Sequence, residues 1–174
     1  MQVKSNGAEY SAPFCVFGGD TVLQIKYKWT DGNNRDFQRF YLSTEEYYSS
    51  LVGGVQNRKG FIPYNISESI GTVLIACIDN IAVGCAGLKR YSDTDVEIKR
   101  VWVEPEYRRH RIAENMMNML EELAEKMKFQ RTVLQTREAM REAVSLYEKL
   151  GYYRINNYPP YDRLEGAVCY AKNL

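Results

Sequence analysis

Arg108, Arg109, His110 and Arg111 stand in a row where a strand-like run ending at Val103-Glu104-Pro105 meets an amphipathic run beginning at Ile112. A chain that turns from a strand into a helix leaves its first helical amides without intrahelical acceptors. The helix end also carries partial positive charge, worth roughly 0.3 to 1 kcal/mol to an anion. Arginines beside those amides add charge-assisted pairing. Such a joint suits phosphate. Read from geometry alone, the same arginines also fit a solvated charge run. A second group with chemistry is Glu97, on the polar side of the strand that leads into the turn, where a carboxylate could take up a proton directly or through water. The plain alternative for it is a structural carboxylate paired with Lys99 or Arg100.

The elements that must hold these residues follow from periodicity. In residues 96–103 strict alternation puts Val96, Ile98 and Trp102 on one face and Glu97, Lys99, Val101 and Val103 on the other. From Ile112, apolar residues at Met116, Met119, Leu120, Leu123, Ala124 and Met127 mark an amphipathic helix. Residues 131–136 read as a short strand. Ala139, Ala143, Leu146, Tyr147 and Leu150 read as the face of a second helix, closed by Gly151. Upstream, residues 73–78 and 81–88 form a hairpin about Asp79-Asn80. Residues 22–29 form a strand. Residues 35–52 form one or two short helices, with a start signal at Ser43-Thr44-Glu45-Glu46. Residues 152–155 and 167–170 supply the last strands. An antiparallel hairpin followed by strand–helix alternation predicts an α/β (α+β) domain, a mixed and mostly antiparallel sheet flanked by helices.

Composition narrows the function classes. The 174 residues suit one domain, with residues 1–20 as a weakly patterned extension. With 23 Lys+Arg against 22 Asp+Glu, no global charge draws the chain to nucleic acid or to an anionic membrane. Cys15, Cys77, Cys85 and Cys169 are dispersed, without a C-x-x-C pair, and His110 is the one histidine, so no metal site is expected. Apolar neighbours around the cysteines suit free thiols in a reducing compartment. No export signal or spanning segment is read, so a cytoplasmic location is expected.

Taken together and in order, residues 96–108, Ile112-Ala113 at the turn, and residues 143–152 closely resemble the GNAT acetyltransferase superfamily. The resemblance covers about residues 72–172. Residues 157–161 and 168–170, with Tyr64-Asn65 upstream, look like its small-molecule subgroup. It implies an acyl-CoA N-acyltransferase fold with acetyl-CoA as cosubstrate and no metal. The backbone of Val101, Trp102 and Val103 should hold the pantetheine arm like an added strand, where two parallel strands splay. Amides of Arg109, His110, Arg111, Ile112, Ala113 and Glu114 should cradle the pyrophosphate, with Arg108 at the motif's leading position. Tyr147, which periodicity alone would place in the core, stands where the family's tyrosine protonates the departing thiolate.

The chain departs from the family pattern at four positions. Arg111 stands where the turn has glycine, and Arg109 where glycine is frequent. Gln135 replaces a catalytic Glu found in some members, and Met140 an Asn that often contacts the cofactor. Arginine in the turn can keep the amide and add a charge if its backbone dihedrals are ordinary. The expected activity is acetyl transfer to a primary amine of a small molecule or peptide, with Tyr147 as acid and Glu97 as base. Residues 30–70, with Tyr41, Tyr47, Tyr48 and Tyr64, should shape the acceptor side; their aromatic content hints at an amphipathic or cation-bearing amine. Neither a nucleic-acid nor a membrane partner is expected. Small members of the family are often dimers, but no feature specifies an interface. Two rivals stand beside this reading: a catalytically inactive CoA-binding sensor or structural protein, and a nucleic-acid module using Arg108 to Arg111.

Overall fold

A computed structural model describes residues 9–12, 24–64 and 66–174. The expected extension over residues 1–20 (apart from 9–12), Cys15, the strand start at residues 22–23, and Asn65 lie outside the described residues. The described strands form one eight-stranded sheet in the order β1-β2-β3-β4-β5-β6-β8-β7. They are β1 (Glu9–Ala12), β2 (Ile25–Thr30), β3 (Thr72–Ile78), β4 (Ile81–Arg90), β5 (Asp95–Val103), β6 (Arg131–Arg137), β7 (Tyr153–Ile155) and β8 (Ala167–Asn173). Every neighbouring pair is antiparallel except β5 with β6.

The β3–β4 hairpin closes where the sequence predicts. Asp79 and Asn80 take φ of 49° and 65°, the two left-handed residues that a tight turn between right-twisted strands needs. Both residue types tolerate that conformation because a short polar side chain can bond locally.

α1 (Arg35–Leu51) is a single helix rather than two short ones. It starts at Asn34, whose side chain accepts from the amides of Asp36 and Phe37 at 3.0 and 3.1 Å. The start-like signal at Ser43-Thr44 lies mid-helix because the Thr44 hydroxyl bonds back to the Phe40 carbonyl at 2.6 Å, which leaves the helical ladder intact. Phe37 and Phe40 cover one sheet face, against Val73, Ile75, Cys85 and Trp102. α2 (Ile112–Lys126) covers the other, burying Ile112, Met116, Met117, Leu120 and Ala124 against Leu74, Ala76, Val96 and Ile98. α3 (Arg141–Lys149) adds Tyr147 to that second core and is followed by Gly151 at φ 85°.

One strand departs from simple alternation in a way that shapes the site. Cys85 pairs with Trp102 but Gly87 pairs with Lys99, so Arg100 and Val101 face the single residue Ala86. This is a bulge, with Arg100 at φ 56°. The extra residue reverses the pleat. Val96 and Ile98 pack under α2, and beyond the bulge it is Val101 and Val103 that lie on that face. Trp102 joins the α1 core instead, correcting the strict alternation read from the sequence. The left-handed Arg100 is anchored at its tip: the guanidinium lies 2.7 Å from Glu45 Oε1 and 4.3 Å above the Tyr41 ring.

Candidate active site

β5 and β6 pair only through Asp95, Val96 and Glu97 with Arg131, Thr132 and Val133. Beyond Glu97 they diverge, because β6 follows β8 while β5 bends at its bulge and follows β4. A parallel pair that separates leaves one edge of β5 facing a groove. Val101, Trp102 and Val103 line a cleft of about 320 Å³, with Tyr47 and Tyr48 from α1 on one side and Ala143, Leu146 and Tyr147 from α3 on the other.

The groove runs on to the basic turn. Val103, Arg108, Ala113 and Leu146 also line a second cavity of about 330 Å³, completed by Arg109, Arg111, Ile112, Glu114 and Lys149. No side chain caps α2 at Arg111, and the first intrahelical bond is Asn115 N–H to Arg111 C=O at 2.9 Å. The amides of residues 112–114 therefore lack an intrahelical acceptor. Arg109 and Arg111 sit at φ 66° and 55°. Ordinary dihedrals do not hold at these positions: both arginines keep the left-handed backbone that glycine adopts freely, at about 1 to 2 kcal/mol each. His110 does not line this cavity. Arg108 is locked by its neighbours: Nε donates to the Val103 carbonyl at 3.1 Å, Nη1 meets Glu142 at 3.2 Å, and the guanidinium stacks on Trp102 and Tyr47 at 5.0 and 5.1 Å.

At the other end a narrow cavity of about 70 Å³ shares Tyr48, Val101, Met140 and Tyr147 with the main cleft. Tyr147 is the hinge of the two spaces and is only 7% exposed. Burial pushes its phenol well above the usual tyrosine range, so it holds its proton throughout the neutral range. Glu97 lines none of these three cavities. Its carboxylate is buried, accepts from the Tyr158 hydroxyl at 3.0 Å and lies 3.6 Å from Lys99 Nζ. Lys99 in turn donates to the Tyr161 hydroxyl at 2.6 Å and to the Tyr64 carbonyl at 3.0 Å. The structure thus brings Val101 to Val103, Arg108, Arg109, Arg111 to Glu114 and Tyr147 along one groove and leaves His110 and Glu97 outside its lining. Burial raises the Cys85 thiol, and raises Cys169 to about 11, so neither is a thiolate at neutral pH. Among the described residues no cluster of His, Cys, Asp or Glu could hold a metal, and no helix is long and apolar enough to cross a membrane.

The profile of the acetyltransferase (GNAT) family matches residues 27–152. The chain belongs to the GNAT acetyltransferase family. The fold agrees with the family's solved structures. A Klebsiella pneumoniae protein assigned as an acyl-CoA N-acyltransferase superposes with a TM-score of 0.68 at 21% identity, over 85% of this chain and 97% of that one. A GNAT acetyltransferase from Staphylococcus aureus gives 0.65 at 19%, over 85% and 99%. One from Elizabethkingia anophelis, solved with acetyl-CoA bound, gives 0.53 at 20%, over 67% and 83%. No curated protein matches the sequence. Within this GNAT chain, sequence reasoning had named the groove's floor and turn but missed Arg58 and Arg137, which reach the narrow cavity from distant segments. Their signal is purely tertiary. It also missed Glu142, an exposed residue on α3 whose bond to Arg108 ties the turn to that helix.

Proposed function

We propose that the protein transfers an acetyl group from acetyl-CoA directly to a primary amine of a small molecule or a peptide. The observation that carries this reading is the splayed edge of β5, continuous with a cavity at an uncapped helix N-terminus. Peptide-like amides of a pantetheine arm can pair with the backbone of Val101 to Val103 as an added strand would. The pyrophosphate suits the amides of Arg109 to Glu114, with the arginine side chains and Lys149 adding charge.

An amine attacking the thioester carbonyl adds its lone pair to carbon, and collapse of the adduct breaks the C–S bond and leaves the pair on sulfur. Tyr147 is assigned as the acid for that sulfur, because burial keeps its hydroxyl protonated. The ammonium proton must also leave. Glu97 remains our candidate acceptor, reached through water or through the Tyr158 hydroxyl that it already holds. We place the chain, its described free cysteines buried as thiols, in a reducing cytoplasm, with no nucleic-acid or membrane partner.

Calorimetric titration with acetyl-CoA, followed by thiol release in the presence of amines, tests the reading. Saturable one-to-one binding and amine-dependent release are expected; absence of binding at millimolar ligand would overturn it. One observation favours the rival of a CoA-binding protein without catalysis: the Gln135 amide bonds the neighbouring Thr136 carbonyl and offers no base. Binding without any amine-dependent release would select that rival.

A further inference from the structure

The narrow cavity beyond Tyr147 differs in charge from the apolar cleft it joins. It is lined by Arg58, Lys99, Arg100 and Arg137, with Gln135 and Thr136 between them. Three of these cations are deeply buried: the side chains of Arg58, Arg100 and Lys99 are 3%, 5% and 6% exposed. Two carboxylates answer them. Glu45 lies 2.7 Å from both Arg58 and Arg100, and Glu97 lies 3.6 Å from Lys99. Arg137 donates Nη1 to the Asn57 carbonyl at 3.0 Å and stacks 4.8 Å above Phe61. Its Nε is buried with no hydrogen-bond partner among the described residues. A buried donor without an acceptor costs about 1 to 3 kcal/mol, and more when it is charged.

We propose that this cavity binds a carboxylate on the acceptor, so that the substrate class is primary amines that also carry a carboxylate; the proposal rests on the acetyltransferase reading above. Four cations facing Glu45, Glu97 and the exposed Glu165 still leave a positive balance that an anion would offset. Burial and the charge of Arg58 both lower the pKa of Arg137, and the exposed Glu165 offsets them only in part. An anion beside it would reverse that trend. Size points to a small planar group. With a single water needing roughly 10 to 15 Å³ of such space, about 70 Å³ admits a few heavy atoms and no ring system. Tyr147 and Val101 line both spaces, so an amine at the thioester and a carboxylate at Arg137 would belong to one short molecule. Under this proposal the cationic walls select an acidic group on the acceptor, where the aromatic residues alone had pointed to an amphipathic or cation-bearing amine.

The test compares matched pairs. Thiol-release kinetics on short amino carboxylates and on their carboxamides should give kcat/KM at least roughly tenfold higher for the carboxylates, the range of a hydrogen bond to a charged group. Arg137→Gln should erase the ratio chiefly through KM, Arg137→Lys should restore part of it, and acetyl-CoA affinity should stay unchanged in both. Equal rates for acid and amide, or a ratio that survives Arg137→Gln, would overturn the proposal, as would a preference for the aminophosphonate analogue, which assigns the cavity to phosphate. A binding arm keeps the result separate from turnover: calorimetry of the full-length protein with an N-acetylamino acid and with its amide. Tighter binding of the acid, lost in Arg137→Gln, is expected. Equal or absent binding sinks the carboxylate site even where acetyl-CoA binds and reacts normally.

Discussion

The two ends of the groove hold charge by opposite means. At the turn, the positive character comes from backbone amides and a helix end, with Arg109 and Arg111 attached to a backbone that would suit glycine better. At the narrow end it comes from side chains, Arg58, Arg100 and Lys99, each desolvated and held by named partners. Backbone charge tolerates exchange of the side chain that carries the amide. Buried side-chain charge does not, because each partner removed leaves an uncompensated ion. The contrast predicts where this chain can vary.

The largest effect is expected at Glu45. It takes a hydrogen bond from Arg58 Nη2 at 3.0 Å, lies 2.7 Å from Arg58 Nη1 through its other oxygen, and lies 2.7 Å from Arg100. Glu45→Ala leaves two buried guanidinium groups without that carboxylate and should cost about 3 to 5 kcal/mol, read from the urea midpoint. A loss below about 1 kcal/mol, the range of surface pairs, would place the cluster in solvent and remove the contrast.

Tyr147→Phe comes next. It removes the hydroxyl and keeps the ring packed against Tyr152 and Tyr170. Turnover should fall about 10²-fold or more, with acetyl-CoA affinity unchanged. The pH profile carries a second readout. The phenol acts as an acid, so activity needs its protonated form; burial raises the folded pKa, which moves the loss of that form to higher pH than an ordinary tyrosine would give. Wild-type kcat should therefore show no alkaline limb near the model-peptide value of about 10. A limb there that vanishes in Tyr147→Phe would mean that the hydroxyl is solvated rather than buried.

A smaller change probes Glu97. Its partners are polar and internal: Tyr158 at 3.0 Å, Lys99 at 3.6 Å and the Tyr161 hydroxyl. Glu97→Gln keeps the shape and the acceptor for Tyr158 but leaves Lys99 short of a counter-charge. If Glu97 takes the amine's proton, kcat at a fixed pH should drop about tenfold or more, beyond what the change in urea midpoint accounts for. If the carboxylate is structural, the loss appears in the urea midpoint and kcat of the folded variant stays.

The sequence made some of this legible and hid the rest for identifiable reasons. α2 and the β3–β4 hairpin follow from local signals, a helical apolar stripe and a two-residue turn, and both stand where expected. The basic turn was readable because its residues are contiguous. The bulge at Arg100 was not, since alternation has no marker for one extra residue, and it moved Trp102 to the opposite face. Nor was the cationic cavity, whose four positive side chains come from a connecting segment, β5 and β6 and meet only in three dimensions. Glu97 shows the limit most clearly. Its strand and polar side were predicted, but Tyr158, its donor, lies sixty-one positions away.

The smallest expected effect bears most directly on the comparison. Arg111→Gly removes a guanidinium from the turn and releases a left-handed residue at φ 55° from its Cβ. Relief of about 1 to 2 kcal/mol is offset by about 0.5 to 1 kcal/mol from the freer unfolded chain. A gain of about half to one kcal/mol in the urea-derived stability should remain. Acetyl-CoA affinity decides the rest. If the amides of residues 112–114 hold the anion, the variant should bind within a few-fold of wild type at physiological salt, where an exposed charge contributes little. A loss beyond about tenfold, equivalent to 1.4 kcal/mol, would mean that Arg111 binds through its side chain. The turn would then resemble the narrow end in kind, and arginine in place of glycine would be a gain of contact rather than a tolerated strain.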